Sequence, residues 1–422
     1  MSSNQHSVFA DPAKCRGCTA CLRHCPTEAV RICDRHAVVL PERCVDCGEC
    51  IRVCPNKATK PQYDRFDDLK DYKWKIALPS PTLYGQFDRL EDVDFVLQGL
   101  LDLGFDDVYE VSQAAELVSA YTRLYLKRAD IERPIISSAC PVVTRLISLR
   151  YPTLCEKIMP ILPPMEIAAI LARDKAHEEH PELKDSDIGI AYISPCPAKV
   201  SYVAGGIGDK KSNIDVVLSV SDVYFTLLSV MDQQKTPPPV SRSGMIGIGW
   251  AAAGGEASAV FNERYLAADG IDNVIRVLDQ LDNGNFPDLE FIELTACPGG
   301  CVGGTMTVTN PYVSKARLQT LRRFLPVSRN WLFNNSEDAS DWIPDRYFFE
   351  QTKYQPCSQL SEDRSESFRM MSEIQKLEET LPGIDCGACG SPNCHTFAMD
   401  VVRGIADGRR CMLVMDASEK NE

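Results

Sequence analysis

Residues 15–54 contain one cysteine unit written twice, and no other feature of this 422-residue chain restricts its folding so strongly. Cys15, Cys18, Cys21 and Cys25 are followed by Pro26, and Cys44, Cys47, Cys50 and Cys54 by Pro55, each set spaced C-x2-C-x2-C-x3-C-P. Four thiols crowded into so short a stretch suit a chain that wraps one compact inorganic group. Nineteen cysteines would point to disulfides in a short secreted protein. Here they fall in spaced clusters along a long chain, and the N-terminus MSSNQHSVFADPAKC has no apolar signal core. Metal ligation is the better reading.

The doubled unit is the two-cluster bacterial ferredoxin pattern, in which three close thiolates hold one 4Fe-4S cube and the fourth crosses to the other. One cube is expected on Cys15, Cys18, Cys21 and Cys54, and the second on Cys44, Cys47, Cys50 and Cys25. A pair of zinc sites is the competing reading, and the Cys-Pro ends weigh against it.

The length predicts two or three domains. An α+β ferredoxin domain is expected over residues 1–62. From residue 63 cysteines become sparse, and the strand-like runs PIIS (134–137), IGIAYIS (188–194), MIGIGW (245–250) and FIELT (291–295) alternate with helical patterns at 90–104 and 165–179. This predicts an α/β domain over 63–355 with parallel sheets covered by helices. QQKTPPPVSRS (233–243) reads as a loop, because three prolines deny both helix and ladder hydrogen bonds. A polar stretch then leads, as linker or exposed helix, to a small, mostly helical module within 356–422. It carries Cys386, Cys389, Cys394 and Cys411. Cys394 should open a helix, whose amides and dipole favour an anionic thiolate cluster. The spacing resembles small 4Fe-4S modules of some redox-complex subunits and corrinoid proteins; a zinc knuckle is the alternative.

A formal charge of −14 and a pI near 5.0 oppose nonspecific nucleic-acid binding, since phosphates would be repelled. No run of eighteen apolar residues offers a membrane span. A cytoplasmic protein is expected, with small molecules or redox proteins as partners.

Three dispersed cysteines share one context: RPIISSAC ends at Cys140, DIGIAYISPC at Cys196 and LEFIELTAC at Cys297, each after a predicted strand and before a proline. Ligands of open α/β sheets bind at the carboxyl ends of strands, so these thiols are placed to converge between sheets. Cys301 follows through Pro298-Gly299-Gly300, whose glycines permit close backbone approach. Four thiolates make one further cube site. A strand-end cysteine is otherwise a small buried hydrophobe. Cys33, Cys155 and Cys357 lack this context and are left as structural or free.

SSACPVV (137–143), SPCPAKVSY (194–202) and ELTACPGGCVGG (293–304) resemble, in order, the three active-site signatures of FeFe-hydrogenases. With the ferredoxin segment the resemblance covers about residues 1–350. It implies reversible H2 oxidation at an H-cluster, a 4Fe-4S cube joined to a diiron unit with CO, cyanide and azadithiolate, fed by three accessory 4Fe-4S clusters. Cys140, Cys196 and Cys297 match cube ligands, Cys301 the bridging ligand, and Lys199 the lysine that hydrogen-bonds a cyanide. An ammonium with three donors suits a buried anionic ligand; a surface-loop lysine is the plainer alternative. Pro195 lies in the second signature, and GWAAAGGEASAV (249–260), with Gly254 and Gly255, resembles the glycine-rich segment beside the diiron unit.

The departures are as informative. Ala139 stands where the family's proton-donating cysteine would be, Val143 where a tryptophan, Ser194 and Thr295 where methionines, and Tyr202 where a glutamate. The segment AAELVSAYTRLYL (114–126) lacks the paired glutamates of the standard proton path. Losing a positioned proton donor predicts slow turnover. These changes, with the terminal module, resemble the sensory branch without a PAS domain. Glu256 and Glu293 are nominated for an alternative proton route, ordinary hydrogen-bonding structure being the other reading. Implied partners are H2 and protons, maturation proteins for the diiron unit, and a redox or signalling protein; a homodimer is left open. The rival function is a noncatalytic assembly or electron-transfer member of the superfamily that lacks the diiron unit.

Overall fold

The computed structural model describes residues 6–206, 210–231, 237–329, 343–357, 359–361, 363–406 and 408–414. In the N-terminal segment, β1 (Val8–Ala10) pairs antiparallel with β4 (Thr59–Pro61), and β2 (Val30–Cys33) with β3 (His36–Val39). Between them lie two single-turn helices, α1 (Ala20–Arg23) and α2 (Glu49–Arg52), which carry Cys21 and Cys50. The repeat folds twice alike: the Ala29 amide donates to Cys25 Sγ at 3.1 Å and the Ala58 amide to Cys54 Sγ at 3.2 Å.

Two parallel sheets form the centre. One has the order β6-β5-β8-β9, from β5 (Trp74–Pro79), β6 (Asp107–Val108), β8 (Ile188–Ser194) and β9 (Val216–Ser219). The other has the order β10-β11-β7, from β7 (Ile135–Ile136), β10 (Tyr265–Asp269) and β11 (Phe291–Thr295). Every residue of β8 is buried, as a parallel strand covered on both faces requires. Helices cover both sheets, among them α3 (Asp94–Asp102), α4 (Val111–Leu126), α5 (Pro141–Arg150), α6 (Pro164–Glu179) and α7 (Pro197–Gly205). They are followed by α8 (Val220–Met231), α9 (Met245–Gly249), α10 (Gly255–Ser258), α11 (Ile271–Asp282) and α12 (Pro311–Arg322).

The runs at 188–194 and 291–295 are strands throughout, and the helical pattern at 165–179 becomes α6. The pattern at 90–104 narrows to α3. MIGIGW is a correction: it forms the helix α9, not a strand. Gly247 lies so close to the Ser112 carbonyl of α4 that a Cβ would sit 2.1 Å from it. Close helix packing through glycine outweighs the strand preference of two isoleucines. Residues 237–243 are neither helix nor strand, as expected, and 233–236 lie outside the described residues.

In the C-terminal segment, α13 (Arg364–Thr380) buries Ile374 and leads to α14 (Cys394–Val402). Asn393 caps α14 by accepting from the Thr396 amide at 2.7 Å, so Cys394 opens this helix. No described helix is long and apolar enough to cross a membrane.

Candidate active site

Strands β7, β8 and β11 present their carboxyl ends to one region between the two sheets. Cys140 and Cys196 are the N-cap residues of α5 and α7, with Pro141 and Pro197 as first helical residues. Proline is pre-shaped for that position and its missing amide proton has no intrahelical role there. Both helices therefore start at a cysteine and turn their positive ends toward it. Cys297 instead enters a tight turn in which Gly299 and Gly300 have φ of 79° and 93°. A Cβ on Gly300 would approach the Ala253 nitrogen to 2.4 Å, so only glycine lets Cys301 return to the same region.

The four sulfurs interact with one another. Burial, opposed by Lys199 and reinforced by Cys301 and Cys140, pushes the Cys196 thiol up to about 12. Burial first, then neighbouring thiolates, also raises Cys140 and Cys297. Such thiols keep their protons unless a cation replaces them, so the donor set fits a thiolate-held cluster.

Beside the quartet is a cavity of about 60 Å³, bordered by Cys301, Lys199, Tyr192, Thr295 and the Ala139 methyl. That is room for several water-sized groups. Lys199 Nζ donates to the Tyr192 phenol at 3.1 Å and lies 3.9 Å from Cys301 Sγ. Burial alone would lower this ammonium; Cys301, Tyr192 and Cys196 outweigh it and hold it well above the usual lysine range. The buried Thr295 hydroxyl has no partner among the described residues. A cationic donor and an unsatisfied hydroxyl on one cavity fit a small group rich in acceptor atoms.

Two buried carboxyls complete the wall. Ser137 Oγ contacts both Glu256 oxygens at 2.8 and 2.7 Å and accepts from the Ala139 amide at 3.1 Å. Glu293 accepts from the Gly254 amide at 2.9 Å and the Ala257 amide at 2.8 Å. Burial, then the nearby Glu293 charge, drives the Glu256 carboxyl well above the ordinary range despite Ser137. Burial raises Glu293 too, against its backbone donors and Lys315.

Other sequence-marked residues stand behind the cavity. The Pro195 carbonyl accepts from the Met306 amide at 2.9 Å. Gly254 anchors Glu293, and Gly255 packs where a Cβ would meet the Gly249 carbonyl at 2.0 Å. Ser194 braces the Cys196 backbone, Val143 is buried in the core, and the buried Tyr202 phenol has no partner among the described residues. In the 114–126 segment, Glu116 accepts from the Gly244 and Arg329 amides. Tyr192 was missed from the sequence; its signal is an aromatic ring in an otherwise aliphatic strand, seven residues before Lys199.

Cys25 lines one pocket with Cys44, Cys47 and Cys50, as the crossover pattern requires. Burial, with Cys15 and Cys18, pushes Cys21 up to about 11. Cys386, Cys389, Cys394 and Cys411 line another pocket. Cys155 is buried in the core, Cys33 ends β2, and Cys357 lies in the connecting segment.

A quartet of this kind, opening directly onto a neighbouring cavity, marks the chain as a hydrogenase-like iron-sulfur protein. The family of the iron-only hydrogenase large subunit, C-terminal domain, matches residues 74–265 and 251–305. A 4Fe-4S dicluster domain matches 7–55, and a family whose description reads "Putative Fe-S cluster" matches 381–412. The chain belongs to the iron-only hydrogenase large-subunit family. It is 26% identical over 387 residues to the periplasmic Fe hydrogenase large subunit of Nitratidesulfovibrio vulgaris, covering 75% of this chain and 90% of that one. FeFe-hydrogenase HydA1 from Chlamydomonas reinhardtii superposes with a TM-score of 0.51 at 14% identity, over 69% of this chain and 96% of the other. HydA(deltaEFG), described as revealing stepwise H-cluster assembly, gives 0.50 at 14% identity over the same shares. At that identity the likeness is one of fold, and the fold is that of FeFe-hydrogenases, with a ferredoxin-like N-terminal segment.

Proposed function

We propose that this protein is a slow, reversible hydrogenase that oxidises H2 and reduces protons at an H-cluster and serves hydrogen or redox sensing. The observation that carries the reading is Lys199: a part-buried ammonium, partnered by a phenol and a thiol, set beside Cys301 on the cavity. The diiron unit, when bound, supplies hydrogen binding and heterolysis. Cys140, Cys196, Cys297 and Cys301 would hold the cube, with Cys301, on the cavity wall, as the residue that would also hold the diiron unit. Lys199 donates toward an anionic ligand and fixes its orientation. Val111, Pro163 and Met165 line the cavity with apolar surface.

Ala139 has no proton to give. Glu256, joined to the Ala139 amide through Ser137, and Glu293, held by backbone amides, make the alternative proton route. A positioned proton donor is worth on the order of a hundredfold to ten-thousandfold in rate, so its loss fits a sensor better than a bulk catalyst. The accessory cysteine sets would hold three 4Fe-4S clusters, which when bound would supply electron transfer to a redox or signalling protein, in a cytoplasmic chain divided as 1–62, 63–355 and 356–422. The test is H2-dependent dye reduction and proton reduction by protein matured with the diiron unit. Slow turnover in both directions is expected; none in either direction, with full iron, overturns the reading.

A further inference from the structure

The two ferredoxin units differ at one position that matters. Cys15-Arg16-Gly17-Cys18 in the first corresponds to Cys44-Val45-Asp46-Cys47 in the second. Gly17 and Asp46 both have left-handed backbone, with φ of 62° and 53°. Glycine takes that conformation readily, whereas few residues with a side chain do, aspartate among them. At Gly17 there is no room for more: a Cβ would meet the Arg35 carbonyl at 2.8 Å, and Cys18 beside it is exposed. The second unit keeps a charged side chain where its twin has none.

The Asp46 carboxyl group is fully buried and borders the pocket shared by Cys25, Cys44, Cys47 and Cys50. Its Oδ1 accepts from the Ser7 amide at 2.9 Å and lies 3.6 Å from Cys44 Sγ. Its Oδ2 accepts from Arg145 at 3.1 Å and from Ser201 at 2.6 Å. An amide, a hydroxyl and a guanidinium on one carboxyl group suit its ionised form. Arg145 lies on α5, which starts behind Cys140, and Ser201 on α7, which starts behind Cys196. The helices that begin at the active-site cysteines therefore supply the compensating cation. The neighbouring Arg43 guanidinium is directed instead to Glu28, at 3.6 Å. A ring nitrogen of His6 lies within 4.8 Å of the Cys44 sulfur and an Asp46 oxygen; with Cys44 committed to a cube, these three form no site of their own.

We infer that Asp46 and Arg145 together set the reduction potential of the cube on Cys25, Cys44, Cys47 and Cys50. On reduction this cube gains one electron, and no bond forms or breaks. A buried carboxylate beside it opposes the added negative charge and lowers the potential, because little water screens the two. The Arg145 guanidinium, on the far oxygen, offsets part of that charge and brings the potential back up. Net charge and hydrogen bonding around the sulfurs are what separate the potentials of clusters of one type. The inference rests on the four-cube reading above and is independent of its hydrogen chemistry.

Full-length protein reconstituted with cubes alone, without the diiron unit, is titrated with dithionite at pH 8 and followed by EPR. Cys25→Ser changes one ligand of this cube and so identifies its signal. Asp46→Asn keeps the shape and the tolerance of left-handed backbone and removes the charge. The potential of this cube should then rise by about 59 mV or more, a tenfold change in a one-electron equilibrium. Arg145→Gln leaves the carboxylate without its cation, and the potential should fall. The other three cubes should keep their potentials in both variants. Arg145 lies outside the cysteine pocket, so its arm stands even if Asp46→Asn fails to hold a cube. Unchanged potentials, shifts of one sign in both variants, or equal shifts in the other cubes overturn the inference. Absence of any reduced-cluster signal that Cys25→Ser alters overturns the cluster assignment, and the inference with it.

Discussion

Lys199 and Tyr192 meet on the cavity wall through a 3.1 Å hydrogen bond, the ammonium donating to the phenol oxygen. Tyr192 is fully buried, and its ring centroid lies 5.6 Å from the same nitrogen. The tyrosine thus fixes where the ammonium points and keeps its own O–H for another acceptor. Tyr192→Phe retains the ring and removes the oxygen. The cyanide infrared bands of matured protein should shift, and turnover should fall about tenfold or more, the equivalent of about 1.5–3 kcal/mol for a hydrogen bond to a charged group. Unshifted bands at full iron content would show that Lys199 holds its position without Tyr192.

Ala139 borders the cavity at the place where a thiol would complete a relay to Ser137 and Glu256. Ala139→Cys should raise proton-coupled turnover by on the order of a hundredfold and alter the infrared spectrum. Unaltered activity together with an unaltered spectrum contradicts the missing-relay explanation of slow turnover.

Burial, then the neighbouring Glu293 charge, raises the Glu256 carboxyl well above its unfolded value of about 4.3. The folded state therefore binds more protons from about pH 4.3 up to the raised folded value, and stability falls as pH rises through that window. Glutamine has no proton to lose. Unfolding midpoints of anaerobic holoprotein at pH 5 and pH 8 should show Glu256→Gln gaining on wild type at the higher pH. Equal slopes would mean that Glu256 ionises normally. Turnover of Glu256→Gln and of Glu293→Gln should drop; unchanged rates remove each residue from the proton route.

Asp400 joins the terminal module to the ferredoxin segment through Arg31, with Ser391 and Arg409 as further donors. Burial would raise its carboxyl, but the bond and charge of Arg31, then Ser391 and Arg409, leave it below the usual range. Its contribution is present above the unfolded value of about 3.9 and is lost as pH falls through the lower folded one. Asp400→Asn strands a buried guanidinium and should cost about 3–5 kcal/mol of docking. Limited proteolysis across residues 356–385 should then cut faster than in wild type; equal rates would show that the clamp is not what holds the module.

The cysteine sets were legible because cluster ligation is a local spacing rule: three thiols of each ferredoxin unit sit within seven residues, and the fourth is four residues on. The strand-end context of Cys140, Cys196 and Cys297 was equally readable, since carboxyl ends of parallel strands collect ligands. What spacing does not carry is partnership across the fold. Arg31 and Asp400 are 369 positions apart, and neither has a sequence signal that names the other. Helix α9 was misread because its glycines matter through what packs on them, and that neighbour, Ser112, is far away in the chain. Tyr192 was overlooked for a related reason: in a fully buried strand an aromatic ring reads as core until its hydroxyl is seen to meet a cation.

On the proposed function, the cavity beside Cys301 and Lys199 holds a diiron unit in the matured protein. Infrared spectroscopy of protein matured with that unit, at about 18 irons per chain for four cubes and one diiron centre, tests it most directly. Bands from metal-bound CO and cyanide are predicted. Iron-replete, matured protein without such bands would contradict the claim and leave the chain a cubane-only member of its family.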